Sequence, residues 1–591
     1  MTIFKSRLLS ATLILTALLS VTLAAPQVHA DEKSQAEGME ALKRLPIQDA
    51  GRIKPFDTFA RETLQMVYGK TSYKPLAKEG DPTKDLRSRP ALEIVMTWFL
   101  APQFWDEQPI VELKLAALKE ALNLEKTRDR FSPQELFAND RLGLVFQDLA
   151  SHRETKEKLN PYFQSVARLE SQLGIYQSMK DASALRLVPP VPVKESGSPV
   201  DALLPKEPDR WRSVRDLDGP LKDKFGIIAK AFIRALPGAE ASPADPGTPA
   251  LLVAVEDFKT AARAENPNLY PDGKDIGIEV HYEEFHPFRV AWIIYVLSAI
   301  VMGIAWNREG RPVGKPLVRI AWGLALLAFA IHSYGFGLRM YLTGRPPVSN
   351  MYESVIWVSW GTMLFAFIFE FKQKARFILL AGTVVATICN IVADGVPHVL
   401  DGSLQPLEPV LRSNLWLTVH VLTISISYSA YFLAWALGNI GLGFVVRGEG
   451  AGSPRVEALT IAIYRCMQVG VVLLATGTIL GGVWADYSWG RFWGWDPKET
   501  WALIALLGYL ALLHARLSGW VKSIGMLVGA VVSFNLVIMA WYGVNFVLGA
   551  GLHSYGFGAG GVEYVSALIL LNMAFVGYAY SMNRARLAAA G

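Results

Sequence analysis

The chain has 591 residues, a formal net charge of +5, 51% hydrophobic residues and 19% charged ones. A mean hydropathy of +0.26 excludes an ordinary soluble chain of this length. The basic residues fall mostly in short loops between apolar runs, so the positive charge reports membrane topology and no nucleic-acid surface. Cys389 and Cys466 form no CxxC pair, which excludes a thiol-redox motif and a cysteine zinc site.

In chain order, the start reads as an export signal over residues 1–30. Lys5 and Arg7 precede an apolar run from Leu8 to Ala25, and "VHA" ends at Ala30 as a cleavage site. An uncleaved anchor is the alternative, since the run is long for a signal; either way residues 31 onward leave the cytoplasm. Residues 31–285 are rich in charge and form an exported, mostly α-helical soluble domain. Periodicity predicts helices at 57–68, 92–100, 111–122, 135–150 and 158–179, with proline-rich breaks at 188–206 and 236–249. Without cysteines this domain has no disulfides. Its motif "LPIQDAGRIKPFDTFARETL" (45–64) is distinctive but shows no catalytic constellation, so a scaffolding or partner-docking role is expected.

Residues 286–591 are a membrane domain. Nine apolar segments, at about 288–306, 318–340, 352–371, 376–393, 415–440, 465–484, 499–517, 522–546 and 563–582, are each long enough to cross a bilayer as helices. One set of alternate loops carries fourteen Lys and Arg residues. The other carries four: Arg345, Arg412, Arg491 and Lys498. The positive-inside rule then places the N-terminal domain outside and the C-terminus in the cytoplasm. An odd number of spans agrees. The fold class expected is an all-α polytopic membrane protein with an N-terminal exported domain.

The outer loop at 484–500 concentrates the chemistry. "WADYSWGRFWGWDPKETW" (484–501) holds five of seventeen tryptophans. Its end is a helix start: Asp496 as cap, Pro497 at the first helical position and Glu499 completing a capping box. An interfacial aromatic belt explains one or two tryptophans per helix end. It does not explain Trp484, Trp489, Trp493 and Trp495 crowded with Gly490 and Gly494. Indoles offer flat apolar walls and glycines let backbone approach a flat ligand, which points to a macrocycle.

Two histidines lie at the level of the tryptophans. His420 starts the fifth span in "LWLTVHVLTISISY", and His553 lies in the glycine-rich loop after the eighth. Two imidazoles at one depth beside an aromatic floor suit axial ligation of haem iron. His514 lies about fifteen residues into the seventh span, roughly 22 Å down. An ionisable group there is a candidate functional site, for a second haem or for the same haem at another stage; a buried structural histidine is the alternative. His332 is a poor depth match for it, and no role is assigned to His398. Arg491 or Lys498 could pair with propionates, with the helix dipole and lipid headgroups as competing explanations.

"WGRFWGWDPKET" (489–500) resembles the tryptophan-rich WWD signature of haem-handling proteins. "GRPPVSNMYES" (344–354) and "SNLWLTVHV" (413–421) resemble the CcsA/ResC type within them, the cytochrome c maturation proteins of System II. The resemblance covers about 282–582. It implies haem b received from the cytoplasmic side and held outside by the WWD loop, with His420 and His553 on the iron and His514 in an inner site. It implies a ResB/CcsB-type membrane partner, apocytochrome c as recipient, and thioether formation at CxxCH motifs within a holocytochrome c synthase complex; a thiol-reducing partner is a further expectation. The location implied is the bacterial inner membrane. Residues 31–285 carry no spans resembling that partner, which departs from the fused form of the family. The alternatives are a haem exporter or chaperone that completes no ligation, a membrane b-type electron carrier, and a transporter whose tryptophans are only a belt.

Overall fold

The computed structural model describes residues 30–75, 88–155, 159–192, 210–236, 249–307, 314–396, 399–406, 413–548 and 560–590. The expected export signal, most of the proline-rich breaks, His398 and His553 lie outside them. The chain divides into two compact units, Met1–Leu142 with Leu169–Val280, and Gly143–Arg168 with His281–Gly591.

The first unit is mostly helical. Helices Phe56–Tyr68 and Ala91–Leu100 form where expected. The apolar stretch 111–122 does not make one helix: Val111–Glu112 pairs with Arg130–Phe131 as a short ladder, and only Ala116–Ala121 is helical. Helices Gly219–Ala235 and Leu251–Glu265 complete the packing. The 45–64 motif is a structural device. Pro46–Asp49 and Arg52–Pro55 form a hairpin closed by Ala50 (φ 48°) and Gly51 (φ 78°), the positive pair that a two-residue hairpin turn requires. Its charges are committed within the fold. Lys54, 1% exposed, donates to Asp49 at 2.8 Å, and Arg52 makes a two-pronged bond to Glu279, both prongs 2.8 Å.

In the second unit, nine helices among the described residues are long and apolar enough to cross a membrane. Their α-helical parts are Pro287–Asn307, Gly314–Thr343, Met351–Gln373, Phe377–Gly395, Leu422–Val446, Pro454–Trp489, Pro497–Leu517, Ser523–Ile538 and Val562–Ala590, and the fifth and eighth spans include π-helical turns as well, over Thr418–Val446 and Ser523–Leu548. The chain is therefore an all-α polytopic protein. The fifth span is the hub: it packs on the third, fourth, sixth, eighth and ninth. Its buried residues include Ser427, Ser429, Ala430, Ala434, Gly438 and Gly441, small groups that let neighbouring helices approach where lipid supplies no hydrophobic drive.

Two features depart from regular helices of bilayer length. The sixth span runs 36 residues, from Pro454 to Trp489, because hydropathy marks only the part that meets lipid while the helix continues into polar residues at both ends. Trp484 and Trp489 are therefore on the helix, and the connecting loop is only Gly490–Asp496. Gly490 ends the helix in the left-handed region (φ 69°), its N–H donating to Asp486 O at 2.8 Å. The fifth and eighth spans also change to π-helix toward the same end, at Leu417–Val421 and Met539–Leu548.

A buried ion network holds the loops beside that end. Glu353, 1% exposed, accepts from Arg339 Nη2 at 2.8 Å, from the Ser349 N–H at 2.8 Å and from Ser349 Oγ at 2.6 Å. Arg339 also donates to Gly402 O at 2.7 Å, and Arg345 joins Glu353 at 3.5 Å while donating to Gln405 O at 2.7 Å. One carboxylate thus ties residues 345–349 and 402–405 to the third span. Glu353→Ala would strand the fully buried Arg339 guanidinium and is expected to cost ~3–5 kcal/mol. Thermal unfolding of the detergent-purified protein checks this; Glu353→Gln should lose less, because it keeps an acceptor.

Candidate functional site

The π turn at Leu417–Val421 carries His420, and the sixth span sets its orientation. His420 Nδ1 lies 2.8 Å from Gly477 O. A carbonyl only accepts, so Nδ1 donates, and in the neutral ring the lone pair is on Nε2. Gly481, one turn further along, makes room for the imidazole: a Cβ there would lie 2.6 Å from His420 Cε1 and 3.2 Å from Nε2. The Trp484 ring meets His420 edge-on at 5.7 Å and lies nearly parallel to Trp416 at 6.5 Å. "LWLTVHV" and "WADYSW" therefore face each other across two helices.

The tryptophan loop is pinned by one carboxylate. Asp496 caps the seventh span by accepting the Lys498 N–H at 2.9 Å, and Glu499 completes the capping box by accepting the Asp496 N–H at 3.2 Å. Glu499 also accepts the Gly494 N–H at 2.8 Å and pairs with Arg491 Nη1 at 3.3 Å. Trp493 and Trp495 meet at right angles, 5.9 Å apart. Trp495 has φ 56° and is 69% exposed, so its indole is presented outward.

Between these elements lies an open cavity. His420 and Trp484 line one side, Trp493, Lys498 and Glu499 another, and Trp541 and Asn545 of the eighth span's π segment a third. Residues 348–351 and Ser354 close it. Trp541 Nε1 donates to Ser354 Oγ at 3.0 Å, joining the eighth span to the third across the cavity wall.

Of the residues expected from sequence, His420, Trp484 and Trp493 come together on this cavity. Trp489, Gly490, Gly494, Trp495 and Asp496 shape the loop beside it without lining it. Gly494 serves contact within the loop, since a Cβ there would strike the Arg491 guanidinium. His514 sits in the last turn of the seventh span, exposed, with its Nδ1 donating to Leu510 O at 2.7 Å. It is far along that helix from the capping box and does not join the cavity. His332 is fully buried between Phe288 and Phe336, with Tyr295 Oη at 3.5 Å, a packed core histidine. Periodicity gave no sign of Trp541, Asn545, Thr478 or Gly481. The signal available for the first two was the pair at i and i+4 in "WYGVN", a polar amide one turn beyond an indole at the C-terminal end of a span.

Comparison with known proteins identifies the family. A cytochrome c assembly protein family model matches residues 348–553, the stretch that supplies every wall of the cavity. The cytochrome c biogenesis protein CcsA of a Synechococcus strain is 36% identical over 297 residues, 44% of this chain and 94% of that protein. This chain belongs to the CcsA family of cytochrome c biogenesis proteins. CcsA of Guillardia theta is 33% identical over 268 residues, 41% of this chain and 87% of its own. Protein NrfI of Wolinella succinogenes is 28% identical over 559 residues, 89% of this chain and 55% of NrfI. The chain thus spans about half the length of NrfI. A match over 89% of the chain cannot be confined to the CcsA-like membrane part, so the NrfI likeness extends into the N-terminal unit.

If Glu499 is what holds the 490–496 loop, Glu499→Ala releases three donors at once. Trypsin should then cut after Arg491 roughly tenfold faster than in the wild-type protein, corresponding to a loss of about 1–2 kcal/mol of local order. Glu499→Gln should fall between the two.

Proposed function

We propose that this CcsA-type protein receives haem and holds it at the outer cavity, with His420 and His553 as axial ligands, for attachment to apocytochrome c. The observation that carries the reading is the His420 imidazole in the wall of a tryptophan-lined cavity, its Nδ1 committed to Gly477 O. A ligating histidine that donates its other nitrogen to a carbonyl has its ring orientation and tautomer set in advance. Among the described residues no three His, Cys, Asp or Glu side chains gather as a metal site. One imidazole suits iron whose equatorial positions are already filled by a porphyrin. His553 lies outside the described residues; it follows the π segment ending at Leu548 by five positions, and that segment lines the same cavity.

The protein's contribution to the chemistry is positioning. Each cysteine S–H of the CxxCH motif adds across a vinyl C=C, forming one S–C and one C–H bond with no net redox change. Trp484 and Trp493 would hold the ring plane, and two imidazoles would keep the iron six-coordinate. A well-held geometry can supply ~7–11 kcal/mol of such a barrier. The exposed His514, on a helix with little of its surface buried in the unit, is offered to a ResB/CcsB-type membrane partner that completes an inner site. The orientation belongs to the same proposal: N-terminal unit outside, C-terminus in the cytoplasm of a bacterium, signal removed.

The test is the absorption spectrum of the full chain purified with a ResB-type partner. A six-coordinate low-spin haem spectrum is expected, lost in His420→Ala and in His553→Ala and restored by imidazole. Haem absent from the wild type, or a spectrum indifferent to both substitutions, would sink the proposal. Gly481→Ala pushes a methyl into the imidazole and should weaken the low-spin signature. Gly443→Ala, where a Cβ meets nothing within 4 Å, should not.

A further inference from the structure

Two basic side chains belong to the wall and loop around the cavity, and the structure commits them differently. Arg491 is taken up by the loop itself: it pairs with Glu499 at 3.3 Å and lies over the Trp489 ring at 5.9 Å, and it does not line the cavity. Lys498 does, and among the described residues it is the only Lys or Arg that does. Its Nζ donates to Asn545 Oδ1 at 3.0 Å. Asn545 lines the cavity too, is 3% exposed, and donates from Nδ2 to Trp541 O at 2.8 Å. That second bond fixes the amide, so its oxygen is the atom turned to the lysine. The chain therefore spends a buried amide on orienting an ammonium in a wall whose other polar members include His420, Asn350 and Glu499.

Two carboxylates lie nearby. Asp496 acts electrostatically on Lys498, and its Oδ1 accepts the Lys498 backbone N–H. Glu499 is occupied by Gly494, Asp496 and Arg491. Both serve the helix start and the loop. An ammonium carries three donors on a compact charge, and in a partly desolvated wall its attraction for an anion is stronger than in water.

We propose that Lys498 and Asn545 form a carboxylate subsite in the cavity, where Lys498 pairs with an anionic carboxylate of a largely apolar planar ligand and Asn545 holds the ammonium in place. This rests on the reading of the cavity as a haem site and deepens it: the carboxylates are then the propionates. The assignment gives the ring a direction. With His420 on the iron and Lys498 on the propionate edge, the vinyl edge, opposite the propionates on the macrocycle, points away from Lys498. A carboxylate-blind aromatic slot would leave the ring free to enter with either edge leading, and the vinyl edge would then not be held toward the incoming thiols.

The experiment titrates the full chain, purified with a ResB-type partner and cleared of endogenous haem, with haem and with haem dimethyl ester, in which both propionates are neutral. Wild type should bind haem roughly ten- to hundredfold tighter than the diester, the size of a charge-assisted bond. Lys498→Met should lose that preference, binding haem weaker by the same factor, the diester unchanged, and the low-spin spectrum from His420 intact. Diester binding is its own control for folding. Lys498→Arg should restore part of the preference. Equal binding of haem and diester by wild type, or equal loss of both in Lys498→Met, would overturn the subsite while leaving iron ligation standing. Failure of wild type to take up haem at all would overturn both readings.

Discussion

The bond from His420 Nδ1 to the Gly477 carbonyl joins the fifth and sixth spans where the cavity begins, and the other features of the site are arranged around it. It requires a carbonyl within reach of a side chain from the facing helix, which the close packing of two small-residue faces supplies. It requires space for the imidazole, which Gly481 supplies. It also requires the histidine to be aimed across the helix interface, which the π turn at Leu417–Val421 does by altering the angular register of the residues at its end. The eighth span makes the same change at Met539–Leu548 and brings Trp541 and Asn545 to the opposite wall. Two helices thus leave regular α geometry at the same end of the unit, on the same cavity.

The loops that complete the cavity are held by a repeated device. In "NMYE" Asn350 caps the third span and Glu353 follows three residues later; in "DPKE" Asp496 caps the seventh and Glu499 follows three residues later. In both, the glutamate reaches back to backbone N–H groups of the preceding loop and pairs with that loop's arginine, Arg345 or Arg491. An acid at a helix N-terminus is favoured by the helix dipole. Pairing it to an arginine of the incoming loop turns a cap into a clamp. The result is a rim held on two sides of the cavity, with both clamp arginines paired to those glutamates.

The 45–64 segment of the N-terminal unit is distinctive in sequence without offering a site. It has three basic and three acidic residues among twenty, and in the fold Lys54 pairs with Asp49 of the hairpin and Glu62 of the following helix while Arg52 pairs with Glu279. The segment's distinctiveness follows from geometry: a buried lysine needs its carboxylates at fixed positions on both hairpin and helix. The NrfI likeness that extends into this unit marks it as part of the protein's common architecture.

The spans, the signature loop and its helix cap were legible in the sequence because each rests on local physics: apolar length, capping chemistry, and the density of indoles between two spans. His420 was legible as well, by its level beside the tryptophans. The sequence alone could not show that Trp484 and Trp489 belong to a helix 36 residues long, since hydropathy senses lipid and not the continuation of backbone hydrogen bonds into water. Nor could it separate Arg491 from Lys498, two cations seven residues apart in one loop and helix start. Which of them faces the cavity depends on Glu499, bound to one, and on Asn545, forty-seven residues from the other and brought beside it only by the packing of the seventh span against the eighth. Trp541, Gly481 and the Gly477 carbonyl enter the site for the same reason. A cavity between helices is made by side chains distant along the chain, and only the tertiary structure decides which of them meet.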